Sequence, residues 1–250
     1  MSEKSRRGSD LSHLLVEDDA VQALPGEETV EESDVGRLSD LAHQRLRDAL
    51  FEGRLKGGTT VSQADLVKLV DVPIGPLRDA LRVLQAEGLV TIHSRSGIEI
   101  CKPDLQMLRN TYQMRMFLEL PAVRRFAESA PMAEIESMIA AHEKAIALIE
   151  GRDFLEAEAT AAEDFDRRFH LRIIRSLANA LVEGAYMQAQ DLNRLYRMDT
   201  KYRYSTVLAV RTFREHLAIL EPMRERGADA AEAALQAHFT KAMQRAMGFI

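Results

Sequence analysis

The residues best suited to chemistry lie in "EDFDRRFHLRIIRSLAN", residues 163–179, where Asp166 and His170 stand four apart. On a helix that spacing puts both side chains on one face, so a single turn offers a carboxylate and an imidazole to one ion. Alone, the two read equally well as hydrogen-bonded neighbours along a helix edge. Two further histidines extend the set. His216 precedes Gly227 by 11 residues and His238 follows it by 11. Two antiparallel helices turning at that glycine would hold both at one height, facing a third helix that carries Asp166 and His170. Three neutral imidazoles and one carboxylate suit a divalent transition metal, zinc first, with nickel or manganese as alternatives, and leave one or two coordination positions open. An open position on the ion can take an oxygen-donor ligand or activate water. Hydrolysis also wants a general base, and no additional carboxylate or motif suggests one.

The chain that must position these residues has 250 residues, 46% hydrophobic and 29% charged, long enough for two domains with real cores. No apolar run reaches the roughly 18 residues of a membrane span, and "MSEKSRRGSDLSHLLVEDD" lacks a signal-peptide core, which places the protein in the cytoplasm with no membrane partner. The single cysteine, Cys101, excludes an internal disulfide and a Cys-based zinc finger; it reads as a small packed residue. The net charge of −6 is unevenly spread: residues 1–35 carry 10 acidic and 3 basic side chains, residues 36–102 carry 8 and 10, and residues 103–250 carry 21 and 20. We therefore expect a disordered acidic tail over 1–35, a mildly basic domain over 36–102 and a second domain over 103–250.

Helical spacing begins near "LSDLAHQRLRDALFEGRLKGG", with Leu38, Leu41, Leu46, Ala49 and Leu50 apolar, Ser39 as a cap and Gly53 as a stop. "TTVSQADLVKLVDV" predicts a short helix whose Ser62 and Asp65 resemble a capping box. In "PIGPLRDALRVLQAEGLV", Pro76 suits a first helical turn, Leu77, Leu81 and Leu84 form a stripe, and Gly88 ends the helix. "LVTIHSRSGIEICK" sets Val90 and Ile92 against Ile98 and Ile100 around a Ser-Gly turn, a hairpin pattern. Three helices and a hairpin make a winged helix-turn-helix, a device that lays its recognition helix in the DNA major groove, although winged helices also serve as protein-binding modules. Arg78 and Arg82 on the exposed side of that helix, with His93 and Arg95 at the hairpin tip, can reach phosphates or base edges.

The stretches "LRDALFEGRLKGG" and "VPIGPLRDALRVLQAEGLV", together with the Gly97 hairpin, resemble the DNA-binding domain of the GntR superfamily of bacterial transcription regulators. The similarity centres on Pro76-Leu77-Arg78-Asp79-Ala80-Leu81. It implies operator binding as a homodimer, with Gly97 among the DNA-binding positions. One departure stands out: the family usually has a small hydroxyl residue and an arginine just before that core, whereas this chain has Pro73, Ile74 and Gly75. That departure implies either an unusual operator or a shift of the contact to Arg78, Arg82 and Arg95.

Residues 103–250 read as helices throughout, with breaks near Ala130-Pro131, 151–153, Asn179, Tyr204-Ser205 and Gly227-Ala228-Asp229, giving about six segments of a bundle. Asp153 with Glu156, and Asp229 with Glu232, are expected to cap two of them. "DRRFH", "REHLAILEPMRERGADAAEAALQAHF" and "MRMFLEL" are similar to the helical, FCD-type effector domain of the FadR-like subfamily. There an Asp and three His bind a metal, positions filled here by Asp166, His170, His216 and His238. The resemblance also implies an effector-facing arginine at Arg115, whose other reading is a helix ion pair with Glu119. Tyr186, Asn193, Arg194 and Arg197 are further pocket candidates, as polar residues on a bundle helix. His142, His43 and His13 are expected at the surface. Three functions stay open: a regulator answering to a small organic acid held by metal and Arg115, a regulator sensing the metal itself, and a metal-dependent hydrolytic enzyme. The non-enzymatic regulator accounts for both halves of the chain.

Overall fold

The computed structural model describes residues 34–249, apart from 95, 152, 154, 155 and 200–203. The acidic tail expected over 1–35 lies outside the described residues except for its last two, which already belong to helix α1, Asp34–Phe51. Ser39 therefore sits inside α1 and does not cap it. Strand β1, Thr60–Val61, leads into α2, Gln63–Val70, whose N-cap is Ser62: its hydroxyl oxygen accepts the Asp65 amide, as the spacing predicts. After a left-handed Asp71, α3 runs Ile74–Ala86, with Pro76 buried in its first turn. Strands β2, Val90–His93, and β3, Gly97–Ile100, close an antiparallel sheet of order β1-β3-β2. Val90 faces Ile100 and Ile92 faces Ile98, the register the alternation predicts.

The core of this unit forms where the apolar faces converge: Leu46 and Leu50 of α1, Leu66 and Val70 of α2, Leu77, Leu81 and Leu84 of α3, and Ile98 and Ile100 of β3. Gly97 has a steric reason. At φ +105° its backbone disfavours an L side chain, and a Cβ there would lie 2.8 Å from the Val61 carbonyl oxygen, so β3 approaches β1 only as glycine.

The second region comprises α4, Leu105–Ser129; α5, Met132–Ile149; α6, Glu156–Arg175; α7, Ala180–Asp199; α8, Thr206–Leu220; a 3-10 turn, Glu221–Glu225; and α9, Ala228–Ala246. Ser205 caps α8 through the Leu208 amide, and the Asn179 side chain accepts the amides of Leu181 and Val182 at the start of α7. α8 packs against α5, α6 and α9. The α8–α9 turn is held tightly: the Gly227 amide donates to Pro222 O, and a Cβ at Gly227 would meet that oxygen at 2.9 Å. Gly227 itself is the N-cap of α9, so Asp229 and Glu232 fall inside the helix, where both bind Arg124 instead of capping. Asp153 is described, but the side chain of Glu156 is not, so that expected cap lies outside the described residues.

The chain divides into two compact units. Of the described residues, one unit contains 109–189 and 204–249, the other 34–108 and 190–199. The end of α7 thus groups with the winged helix: Arg47 pairs with Asp191 at 2.6 Å, and Leu195 joins the winged-helix core. No helix among the described residues is long and apolar enough to cross a membrane.

Candidate metal centre and DNA-binding face

The helical unit brings Asp166, His170, His216 and His238 together, each offering a ligand atom, all within 4.8 Å of one another. The positions follow from the sequence. α6 places Asp166 and His170 on one face, and the Gly227 turn folds His238 of α9 back to the level of His216 on α8, ring centroids 5.0 Å apart. Asp166 Oδ1 lies 3.3 Å from His216 Nε2 and 3.8 Å from His170 Nε2. The three histidines are almost wholly enclosed.

Each imidazole is held from behind through Nδ1. His170 Nδ1 donates to Glu119 Oε2 at 2.6 Å, and His238 Nδ1 donates to Glu215 Oε2 at 2.8 Å. His216 Nδ1 meets another imidazole, His142 Nε2, at 3.1 Å. A histidine that gives its Nδ1–H to such a partner turns an Nε2 lone pair forward, the tautomer a metal requires. Burial lowers the pKa of His216 and His238, so their rings are neutral at neutral pH. His216 Nε2 is buried and faces Asp166 Oδ1 at 3.3 Å without a well-formed hydrogen bond, a pair of donor atoms that a cation between them would satisfy. The donor set fits a transition ion.

The carboxylates behind the site are themselves anchored. Burial alone would raise Glu215, but hydrogen bonds from His238 and the two-pronged Arg245, both 2.8 Å, hold its carboxyl down to about 2. Burial would also raise Glu119; Arg115 and His170 outweigh it and keep the carboxyl below its ordinary range. Arg115 Nε donates to Glu119 Oε1 at 2.7 Å, so the expected helix ion pair exists, yet Arg115 Nη2 is buried with no hydrogen bond. Its guanidinium is caged by the rings of Phe239 at 4.7 Å, Tyr112 at 5.9 Å and Tyr186 at 6.0 Å.

Not every expected residue gathers here. Asn193, Arg194 and Arg197 belong to the segment that clusters with the winged helix. Arg194 is exposed and its guanidinium stands over the Phe51 ring at 4.5 Å, where α7 passes beside α1. Asn193 is buried with its Oδ1 unsatisfied. His142 is a correction. It is a core residue, 2% exposed, packed on Phe165, Phe169 and Phe213, and burial lowers its pKa to about 4. Sequence reading missed it, along with Glu119 and Glu215 as holders of His170 and His238. Glu215 at least adjoins His216 in "REHL", whereas His142 meets His216 across 74 residues with no local signal.

An open groove of about 1080 Å³ lies elsewhere in the helical unit, lined by Thr206, Arg211, Arg214, Lys241 and Arg245 opposite Glu150 and Glu215. It reaches the network behind the cluster through Glu215 and Arg245.

On the winged helix, Arg78 and Arg82 are both exposed on α3. Arg78 Nε donates to Gln63 Oε1 at 3.0 Å, tying α3 to α2, and Arg82 pairs loosely with Asp79. Ile74, in place of the family's usual polar residues, is 43% exposed at the first position of α3. His93 bonds Glu99 across the hairpin at 2.8 Å, and Arg95 lies outside the described residues.

Residues 38–100 match the gntR family of bacterial regulatory proteins and residues 110–241 match the FCD domain. The chain belongs to the GntR family of bacterial regulators, in the form that carries an FCD domain. Among solved structures it is similar to a protein of Rhodococcus sp. RHA1 assigned as a GntR transcriptional regulator, with 17% identity, TM-score 0.67, and 86% of this chain and 99% of that one covered. It is also similar to E. coli McbR/YncC, with 16% identity, TM-score 0.63 and coverage of 84% and 97%. Lar of Listeria monocytogenes, which controls expression of the agr system, shows 16% identity, TM-score 0.56 and coverage of 90% and 100%. At such identities the likeness is one of fold. The comparison with curated proteins gave no match.

Proposed function

We propose that the protein is a FadR-like, ligand-responsive transcription regulator that binds operator DNA as a homodimer in the cytoplasm. A divalent ion, zinc first, is held by Asp166, His170, His216 and His238, and a small organic acid binds at that ion. The observation that carries the reading is the convergence of the four donors within 4.8 Å, three of them already oriented by their own hydrogen-bond partners. When bound, the ion supplies a Lewis-acidic position for a hard oxygen donor.

The chain's own residues do the rest. Arg115 Nη2, buried and unsatisfied, is set to donate to a second carboxylate oxygen of the acid while Nε stays on Glu119. Tyr186, wholly enclosed, walls the same guanidinium. Arg78 and Arg82 contact DNA from α3, joined by His93, Arg95 and Gly97 on the wing. Two winged helices related by a two-fold axis double that contact, and an acid that binds one arrangement better shifts affinity for the operator.

The test is calorimetry with organic acids on metal-loaded protein, the wild type beside His238→Ala and Arg115→Lys, the latter keeping Glu119 paired while losing the guanidinium fork. Both variants should lose affinity. Full affinity in both, with the fold intact, places the effector elsewhere. A metal-sensing regulator is the second reading, favoured by the depth of the three histidines; it predicts that zinc alone changes operator affinity.

A further inference from the structure

We infer that His142 fixes the tautomer of His216 and is thus a positioning residue for the metal ligand set; the inference rests on the metal reading above. His142 Nδ1 lies 2.7 Å from the carbonyl oxygen of Met138, one turn earlier on α5. A carbonyl only accepts, so Nδ1 carries the hydrogen, and in a neutral ring Nε2 then bears a lone pair. That lone pair faces His216 Nδ1 at 3.1 Å. Two lone pairs make no hydrogen bond, and the contact of His216 Nε2 with Asp166 at 3.3 Å does not form one either, so the hydrogen bond this geometry offers His216 is the one donated from Nδ1. Its Nε2 lone pair is thereby turned toward Asp166 Oδ1, 3.3 Å away, where the other ligand atoms converge.

The surroundings leave neither ring a choice of orientation. His142 packs on Phe165 at 4.6 Å and on Phe213 at 5.9 Å, and Phe169 stacks on His216 at 3.9 Å with an interplanar angle of 15°. The other two ligand histidines give their Nδ1–H to carboxylates, Glu119 and Glu215. His216 alone gives it to an imidazole on α5, a helix that contributes no ligand. Without an acceptor at His142, the Nδ1–H of His216 would be stranded among phenyl rings. The proton is then better placed on Nε2, hydrogen-bonded to Asp166, which ties up two of the four donors at once.

The experiment has two readouts on full-length protein: histidine nitrogen NMR of the metal-free form, which reports tautomers, and zinc affinity by competition with a chromophoric chelator. Variants are His142→Leu, which removes the acceptor, and His142→Gln, whose carboxamide oxygen reaches the position of Nε2. We expect wild-type His216 to be protonated on Nδ1. His142→Leu should move the proton to Nε2 and weaken zinc binding about 10–100-fold, while His142→Gln keeps the Nδ1–H form and most of the affinity. The inference is overturned if wild-type His216 carries its proton on Nε2. It is overturned equally if His142→Leu leaves zinc affinity unchanged, or weakens it with no change of tautomer. If the wild type binds no zinc, the metal reading fails while the metal-free tautomer still decides the role of His142. If His142→Leu does not fold, the wild type and His142→Gln decide it.

Discussion

Glu119→Gln probes the buried network most sharply. The carboxylate is 0% exposed and takes hydrogen bonds from Arg115 Nε at 2.7 Å and His170 Nδ1 at 2.6 Å. Among the described residues Arg115 pairs with no other carboxylate, and its side chain is 5% exposed inside an aromatic cage. Replacing the carboxylate by an amide leaves a guanidinium buried without its anion, which costs about 3–5 kcal/mol. Each kcal/mol moves the Tm of a protein of this size by about 2–4 °C, so the metal-free variant should melt roughly 6–20 °C below wild type. Removing both charges, Glu119→Leu with Arg115→Met, should recover much of that loss, since no uncompensated charge remains. Thermal unfolding followed by circular dichroism measures all three proteins. The reasoning is refuted if Glu119→Gln melts within about 2–4 °C of wild type, the equivalent of 1 kcal/mol, or if the double variant is no more stable than the single one.

Acid should destabilise the metal-free protein. Burial depresses His142 to about 4 and lowers His216 and His238 as well, so each folded pKa lies below the unfolded value of about 6.5. Stability is then full above about pH 6.5 and falls below it, as the unfolded chain takes up protons that the folded one refuses. The denaturant midpoint should decline between about pH 6.5 and 4 and stay flat above; a midpoint unchanged to pH 5 would contradict this. Gly97→Ala, forced against the Val61 carbonyl at 2.8 Å, should cost about 1–3 kcal/mol, read as a lower unfolding midpoint. Arg78→Ala or Arg82→Ala should weaken operator binding by about 1–3 kcal/mol if the residue reads a base, or weaken all DNA alike and lower the salt slope by about 1 if it meets phosphate. Anisotropy with operator and random duplexes separates these outcomes, and no change in either variant would take α3 out of the groove.

Legibility followed range. Ser62, the Val90/Ile100 and Ile92/Ile98 register, and the stripe of Leu77, Leu81 and Leu84 obey rules a few residues long, and the structure reproduces them. The metal candidates were legible because two local devices, the four-residue spacing of Asp166 and His170 and the Gly227 turn between His216 and His238, stand in for long-range information. Where partners lie far apart, composition carried no signal. His142 looks like any helical histidine until α5 packs against α8, and Arg194 looks like a bundle residue until α7 passes beside Phe51. Asp229 and Ser39 fit capping patterns, but the α8–α9 turn is held by the Gly227 amide on Pro222 O, and α1 begins five residues before Ser39.

The central claim, that these four side chains form a metal site within a DNA-binding regulator, is tested most directly by titrating zinc into chelator-treated full-length protein in a calorimeter, with His238→Ala alongside. The account predicts about one ion per chain in the wild type, proton release where a donor must lose one, and markedly weaker binding in His238→Ala. No heat beyond dilution in the wild type, together with no metal in protein purified without chelator, would contradict it.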